Sequence, residues 1–219
     1  MTHKTRIALT ASLVVAVVVA TVVVLFLRDD SEPERVAQTD AGQVVRDNSH
    51  RLSSVPDSNV DFVEFLDFEC EGCKALYPVV EQLRGEYGDR VNFVIRYFPL
   101  SGHFNSERAA RAAEAAAQQG QLEPMYKTLF DTQDQWGHKE TPADAELREL
   151  AAGLGLDMAA FDAAYSDPAT AQRVQMDKSD GEALGVQGTP TFFVNGSRLQ
   201  PRSYEDLTGA LDEALGAGR

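Results

Sequence analysis

Cysteine is nearly absent from this chain, which has two in 219 residues, Cys70 and Cys73. Two cysteines exclude a scaffold held together by several disulfides, because at most one intramolecular disulfide can form. A structural zinc site needs four ligands, usually including a second pair of Cys or His at short spacing. The histidines are isolated from one another: His3, His50, His103 and His138. We therefore predict no metal site.

Basic residues are also scarce, with 20 Lys and Arg against 34 Asp and Glu and a net charge of −14. Binding to nucleic acid requires a basic surface that neutralises phosphates. The composition therefore excludes nucleic acid as an expected partner. An acidic surface of this kind is typical of a soluble exported domain.

Charged residues are missing altogether from residues 7–27, a run rich in Val, Ala and Leu. At ~1.5 Å per helical residue this run is long enough to cross a hydrocarbon core of roughly 30 Å. Lys4 and Arg6 precede it and acidic residues follow it, so the positive-inside rule places residues 1–6 in the cytoplasm. We predict a single-pass cell-membrane anchor at 7–27 and an extracytoplasmic catalytic domain.

A cleaved signal peptide is the alternative interpretation of the same run. The segment Val18-Val-Ala20 loosely fits a peptidase site, but the apolar stretch continues past it without a polar region. An intact mass beginning near Thr21 would indicate cleavage. Either interpretation predicts that the remainder of the chain is exported.

The remainder divides into a linker and one domain. Residues 28–43 are acidic and polar and predict a flexible extracytoplasmic linker. Within 44–219, apolar runs at 60–66 and 91–98 flank a helical pattern, which predicts a βαβ unit with parallel strands. Helical patterns then fill residues 100–185 before a strand at 191–194 turns at Asn195-Gly196 into a β-hairpin. A closing helix runs to about residue 215.

The two cysteines form one motif, Cys70-Glu71-Gly72-Cys73, between the first strand and its helix. The positive end of a helix favours the thiolate of the leading cysteine. The motif predicts a redox-active disulfide, with no further cofactor. A structural disulfide is a weaker alternative, because closing a two-residue loop removes little entropy from the unfolded chain.

A second motif, Thr189-Pro190, stands directly before the strand at 191–194, where a missing amide donor is tolerated. Taken alone, Pro190 would be interpreted as an ordinary trans proline. Together with Cys70-Glu71-Gly72-Cys73 and the intervening helices, it resembles the DsbA-like thiol-disulfide oxidoreductases of the thioredoxin superfamily. The resemblance covers residues 60–215 and implies a thioredoxin-like α/β fold with an inserted helical subdomain, preceded here by the N-terminal transmembrane helix.

The resemblance also implies roles for individual residues. Cys70 leads the helix and is therefore expected to be the exposed cysteine that exchanges with substrate, while Cys73 is covered by the first turn. Pro190 would be cis, so that Thr189 offers backbone groups to a substrate docked as an added strand. Glu64 lies within the apolar strand, where burial would raise its pKa, and by resemblance it would relay protons to Cys73. The alternative for Glu64 is a solvent-facing position on an edge strand.

The residues around the motif bear on the direction of electron flow. The best-known oxidising relatives have a histidine between the cysteines, where this chain has Glu71 and Gly72. Three carboxylates, including those of Asp67 and Glu69, are expected to raise the pKa of Cys70 and weaken the enzyme as an oxidant. Exposed charges are screened by solvent, so a merely solvated acidic surface is the alternative.

The predicted function is oxidation of reduced exported proteins by a monomer. Its expected redox partner is a quinone-linked membrane oxidoreductase, either DsbB-like or vitamin K epoxide reductase-like. A disulfide reductase or isomerase of the same fold, and a membrane-tethered chaperone of extended clients, are the alternatives.

Overall fold

The computed structural model describes residues 42–217. The predicted cytoplasmic segment 1–6, the predicted anchor 7–27 and nearly all of the predicted linker 28–43 lie outside the described residues. Among the helices of residues 42–217, none is long and apolar enough to cross a membrane.

A five-stranded mixed sheet forms the centre of the domain, in the order β1-β3-β2-β4-β5. The pair β2 and β3 is parallel, which confirms the predicted βαβ unit, and the other pairs are antiparallel. Asn195 and Gly196 adopt positive φ angles of 47° and 80°, which forms the predicted hairpin turn. The strands are β1 (His50–Ser53), β2 (Asp61–Leu66), β3 (Asn92–Tyr97), β4 (Thr191–Val194) and β5 (Ser197–Leu199).

Eight helices lie within residues 42–217, and six of them follow one another between β3 and β4. This run is the predicted helical stretch. The helices are α1 (Glu71–Tyr87), α2 (Ser106–Ala117), α3 (Leu122–Asp131), α4 (Gln133–Trp136), α5 (Asp144–Gly153), α6 (Met158–Ser166), α7 (Pro168–Ala183) and α8 (Tyr204–Ala217).

Side chains of β2 alternate between the two faces of the sheet, since successive residues of a strand point in opposite directions. Phe62 and Leu66 belong to the larger core, which also contains side chains of α1, α2, α3 and α8. Val63 and Phe65 belong to a smaller core on the opposite face. Glu64 shares the parity of Phe62 and Leu66, so it points towards the larger core and α1.

Helix α7 packs directly on the sheet, on the face of the smaller core. The close approach depends on Gly181, because a Cβ at this position would lie 2.7 Å from the ring of Phe98 and 3.0 Å from that of Phe65. The last of the six consecutive helices therefore covers the sheet, whereas α2 and α3 extend the larger core.

A buried ion-pair cluster attaches the beginning of the described chain to this layer. Arg96 of β3 is fully buried and donates to Asp177 at 2.6 Å and to Asp180 at 2.5 Å, both on α7. It also donates to the carbonyl oxygens of Gln43 and Val44, at 2.7 and 2.8 Å. Each of the three guanidinium nitrogen atoms of Arg96 thus donates to at least one acceptor.

Candidate active site

The two cysteines lie where β2 passes into α1. The helix begins at Glu71, so Cys70 is its N-cap residue with extended backbone (φ −70°, ψ 123°), whereas Cys73 lies in the first turn. Both are free thiols. Cys70 is 8% exposed and Cys73 is 0% exposed, which agrees with the prediction that Cys70 is the accessible one. Within residues 42–217 no three His, Cys, Asp or Glu side chains are placed to hold a metal ion.

The environment of Cys70 stabilises its thiolate. Its pKa falls to about 5, chiefly because the Cys73 thiol donates a hydrogen bond to it, with further help from the backbone N–H groups of Gly72 and Cys73. Burial opposes this shift and is outweighed. At neutral pH the reduced protein therefore carries a negative charge on the sulfur of Cys70.

Cys73 is perturbed in the opposite direction. Burial raises the pKa of its thiol, and so do its hydrogen bond to Cys70 and the nearby charge of Glu64. Cys73 is thus a neutral donor at neutral pH and Cys70 is its acceptor. Two chemically identical side chains therefore have opposite pKa shifts, because one donates and the other accepts the hydrogen bond between them.

The prediction of a raised pKa at Cys70 is wrong, because hydrogen bonds to the thiolate lower this pKa to about 5. Asp67 and Glu69 are each 2% exposed, and their oxygens are bound by groups of the protein. Asp67 accepts the N–H of Glu69 at 2.8 Å and the N–H of Leu100 at 3.0 Å. Glu71, by contrast, points away from the interior, and its side chain is 84% exposed. The buried acids are compensated by hydrogen-bond donors and Glu71 is solvated. Hydrogen bonds to Cys70 therefore determine the direction in which its pKa shifts.

The Thr189–Pro190 peptide bond is cis, as the resemblance implies, and it lies beside the cysteines. Sγ of Cys70 lies 3.3 Å from the carbonyl oxygen of Thr189. Gly72 keeps the space between them open, because a Cβ there would lie 3.4 Å from Cδ of Pro190 and 3.6 Å from Sγ of Cys70. Gly72, Thr189 and Pro190 thus lie around Sγ of Cys70.

Glu64 is 2% exposed and lies in β2 between β3 and β4. This position excludes the edge-strand alternative. Its Oε2 atom has no hydrogen-bond partner within the described structure. The pKa of Glu64 rises to about 8, first because of burial and then because of the negative charges of Cys70 and Glu81. The predicted burial and raised pKa of this carboxyl group are confirmed.

Three residues of the site were not predicted, and all three reach it from beyond β3. Gln133 of α4 donates from Nε2 to the carbonyl oxygens of Phe68 and Cys70, at 2.6 and 3.1 Å. The backbone N–H of Asn105 donates to Glu69 at 2.6 Å. Nδ1 of His103 lies 2.6 Å from Oδ2 of Asp67. No local pattern marks these residues, because only the folding of the helical region brings them to the motif.

Comparison with known proteins gives a consistent family assignment. A thioredoxin family model matches residues 54–213. A thioredoxin-like oxidoreductase from Silicibacter pomeroyi DSS-3 is 27% identical, with a TM-score of 0.65 over 78% of this chain and 94% of that one. Wolbachia pipientis alpha-DsbA1 is 21% identical, with a TM-score of 0.70 over 80% and 94% of the two chains, and it supports the fold.

A sequence relative places the same domain in a larger protein. The Na(+)/H(+) antiporter NhaA 1 of Mycobacterium sp. (strain KMS) is 35% identical over 188 residues, which are 83% of this chain and 29% of that protein. The chain therefore spans less than a third of the length of the curated relatives it matches, and the similarity concerns the thioredoxin-like segment. With the fold and the cysteine motif in agreement, this chain belongs to the thioredoxin family and has a DsbA-like fold.

Proposed function

We propose that this protein is an extracytoplasmic oxidase that introduces disulfides into exported proteins through the Cys70–Cys73 pair. The observation that supports this direction is the stabilised thiolate of Cys70, whose pKa falls to about 5. Whatever stabilises the reduced form of a dithiol makes the corresponding disulfide a stronger oxidant. A disulfide at this site would therefore accept electrons readily from substrate thiols.

In the proposed cycle, a substrate thiolate attacks Sγ of Cys70 in the enzyme disulfide. A mixed disulfide forms between substrate and Cys70, the Cys70–Cys73 bond breaks, and Cys73 leaves with the electron pair. A second substrate thiolate then attacks the substrate sulfur of the mixed disulfide and releases the Cys70 thiolate. Two electrons have passed from the substrate dithiol to the enzyme, and the substrate holds one new disulfide.

Glu64 supplies the proton that this cycle requires. The released Cys73 thiolate is buried, and its raised pKa makes protonation favourable at neutral pH. Glu64 has a pKa of about 8 and is therefore largely protonated at neutral pH, close enough to Cys73 to affect the charge of that thiol. Transfer of a proton from Glu64 to the Cys73 thiolate is favourable, because the pKa of the buried thiol is raised above that of the carboxyl group.

Substrate docking is assigned to the Thr189–Pro190 turn. The Thr189 carbonyl oxygen, which lies 3.3 Å from Sγ of Cys70, is available to a backbone N–H of an extended substrate segment. Main-chain bonding of this kind tolerates many substrate sequences. Gly72 places no side chain beside Sγ, which favours access by varied client proteins.

The cellular setting proposed for this reaction follows from the sequence. The apolar run at 7–27 would anchor the protein in the cell membrane with its catalytic domain outside, attached through a linker at 28–43. Reoxidation would then fall to a quinone-linked membrane oxidoreductase, DsbB-like or vitamin K epoxide reductase-like, in the same membrane plane. We propose that the enzyme acts there as a monomer.

Single-cysteine variants test the mechanism. We expect Cys70→Ala to abolish oxidation of a reduced two-disulfide protein and Cys73→Ala to accumulate mixed disulfides through Cys70, resolved by non-reducing electrophoresis. Trapping by Cys70→Ala and not by Cys73→Ala would reverse the two assignments.

A double Cys→Ser variant separates the enzyme from a chaperone. Refolding of the reduced client should accelerate with wild type and not with the double variant, whereas equal acceleration by both would favour a chaperone.

The redox state of the cysteines in living cells decides the direction of electron flow. Mostly disulfide supports the oxidase, and mostly dithiol favours a reductase or isomerase.

A further inference from the structure

The turn that precedes Cys70 contains a buried acid, Asp67, whose charge is balanced by His103, a residue from beyond β3. The side chain of Asp67 is 0% exposed and that of His103 is 26% exposed, with Nδ1 of His103 2.6 Å from Oδ2 of Asp67. The backbone of the same turn binds the cysteine, because the N–H of Cys70 donates to the carbonyl oxygen of Asp67 at 3.1 Å. The imidazole is thus fixed to the residue that positions Cys70.

The chain after β3 is shaped to deliver this imidazole. The N–H of Leu100 donates to Oδ2 of Asp67 at 3.0 Å, and the N–H of His103 donates to the carbonyl oxygen of Leu100 at 3.1 Å. Leu100 and His103 therefore begin and end one tight turn, and both contact the carboxylate of Asp67. His103 also lines a cavity of about 350 Å³, which gives the ring access to solvent protons.

We propose that His103 is a positioning residue of the thiol-disulfide reaction, whose imidazolium, held by Asp67, balances the negative charge around Cys70 and stabilises the thiolate. This inference concerns the same site as the proposed function and rests on the redox role of Cys70. It assigns the strength of the oxidant to a side chain that lies outside the cysteine motif.

The electrostatics agree with this geometry. The pKa of His103 is raised, against the effect of its partial burial, by the hydrogen bond to Asp67 and by the negative charges of Asp67, Cys70 and Glu69. Because coupling between two protonation sites is reciprocal, a thiolate that favours the imidazolium is itself favoured by it to the same extent. The cation is present below the raised pKa of His103 and is lost as pH rises through it.

Other charged groups near His103 do not replace it. The ring of His138 is 6.5 Å from that of His103, edge to face, and its Nε2 is 3.9 Å from the exposed carboxylate of Glu71. Across the cavity, Arg108 is paired with Asp144 at 3.0 Å. The remaining titratable groups that line the cavity are Glu107, Arg111, Tyr165 and Lys178.

The test uses variants that separate the charge of His103 from its hydrogen bond. H103N retains a donor at the position of Nδ1 without the charge, and H103K restores a cation. The Cys70 thiolate absorbs at about 240 nm, so its titration in the full-length dithiol protein gives the pKa directly. We expect H103N to raise the pKa of Cys70 by about one unit, the lower end of the range for a nearby opposite charge because the ring is partly exposed. H103K should return it towards the wild-type value.

The same variants should change the redox equilibrium with glutathione. A one-unit rise corresponds to about a tenfold change in the equilibrium constant, or about 30 mV towards a weaker oxidant for this two-electron couple. The matched control is H138N, because His138 has a φ of 55° and asparagine tolerates that conformation. An equal shift in H138N, no shift in H103N, or equal shifts in H103N and H103K would overturn the proposal.

A measurement on the wild type keeps the proposal testable if a variant does not fold. Imidazole proton resonances of His103 should titrate at higher pH in the dithiol form than in the disulfide form, because only the dithiol form carries the thiolate. Equal titration in both forms would refute the coupling. Neither readout requires a client protein, so failure to oxidise exported proteins would count against the proposed function alone.

Discussion

Replacing Glu64 with Gln should remove a pH-dependent loss of stability from this protein. Glu64 is 2% exposed, and its pKa rises from 4.5 to about 8, chiefly because burial penalises the carboxylate. A carboxyl group whose pKa is raised on folding contributes its full stability below the unfolded value, and that contribution is lost as pH rises through the folded value. The wild type should therefore lose stability between about pH 4.5 and pH 8 through this one group.

The size of the effect follows from the shift. At about 1.4 kcal/mol per pKa unit, a shift of about 3.5 units corresponds to roughly 5 kcal/mol when Glu64 is fully ionised. At pH 7, where the group is still mostly protonated in the folded state, the linkage relation gives about 3 kcal/mol. The unpartnered Oε2 atom means that a glutamine amide would also lack a partner there. That penalty is independent of pH and cancels when pH values are compared.

The assay is urea unfolding of the dithiol forms of wild type and E64Q from about pH 4 to pH 9, with the difference in unfolding free energy as the readout. We expect the difference to move in favour of E64Q by roughly 3 kcal/mol by pH 7 and to continue to about pH 8. E71Q is the matched control, because this neighbouring side chain is 84% exposed and its replacement should change stability by less than about 0.5 kcal/mol. If the difference in unfolding free energy between wild type and E64Q stays constant over the whole pH range, the inference that burial destabilises the Glu64 carboxylate is refuted.

Three further outcomes are expected. Gly72→Val should leave the circular dichroism spectrum unchanged but slow client oxidation by about tenfold, ~1.4 kcal/mol, because the new side chain would lie beside Sγ of Cys70. An unchanged rate would show that substrates approach Cys70 from another side. Arg96→Met should lower the free energy of unfolding in urea by about 3 kcal/mol, which is the lower end of the range for a broken buried ion pair. The loss is limited because Arg46 still contacts Asp180 and Arg173 still contacts Asp177. An effect no larger than that of Arg90→Met, an exposed arginine, would contradict it. Glu71→His should shift the glutathione equilibrium towards a stronger oxidant, because it replaces a carboxylate beside Cys70 with a group that can carry positive charge. No shift would show that this exposed position is too well solvated to act on Cys70.

The chemistry of the motif and the order of the core elements were accessible from sequence because both are local. Strand periodicity, the turn at Asn195-Gly196 and the four residues from Cys70 to Cys73 are encoded by neighbours in the chain. The burial of Glu64 followed from the apolar residues on both sides of it, since a continuous apolar strand lies in the middle of a sheet.

Tertiary structure decided the electrostatics of the site. Asp67 and Glu69 stand beside the motif in sequence, and counting their charges gave the wrong sign for the pKa shift of Cys70. Their effect is offset by donors from residues 100–138, which approach only after the helical region has folded over the turn. A charge acts through its distance and its compensating partners. The sequence by itself identified the two thiols as the candidate reactive groups, and the folded chain determined how strongly the thiolate of Cys70 is favoured.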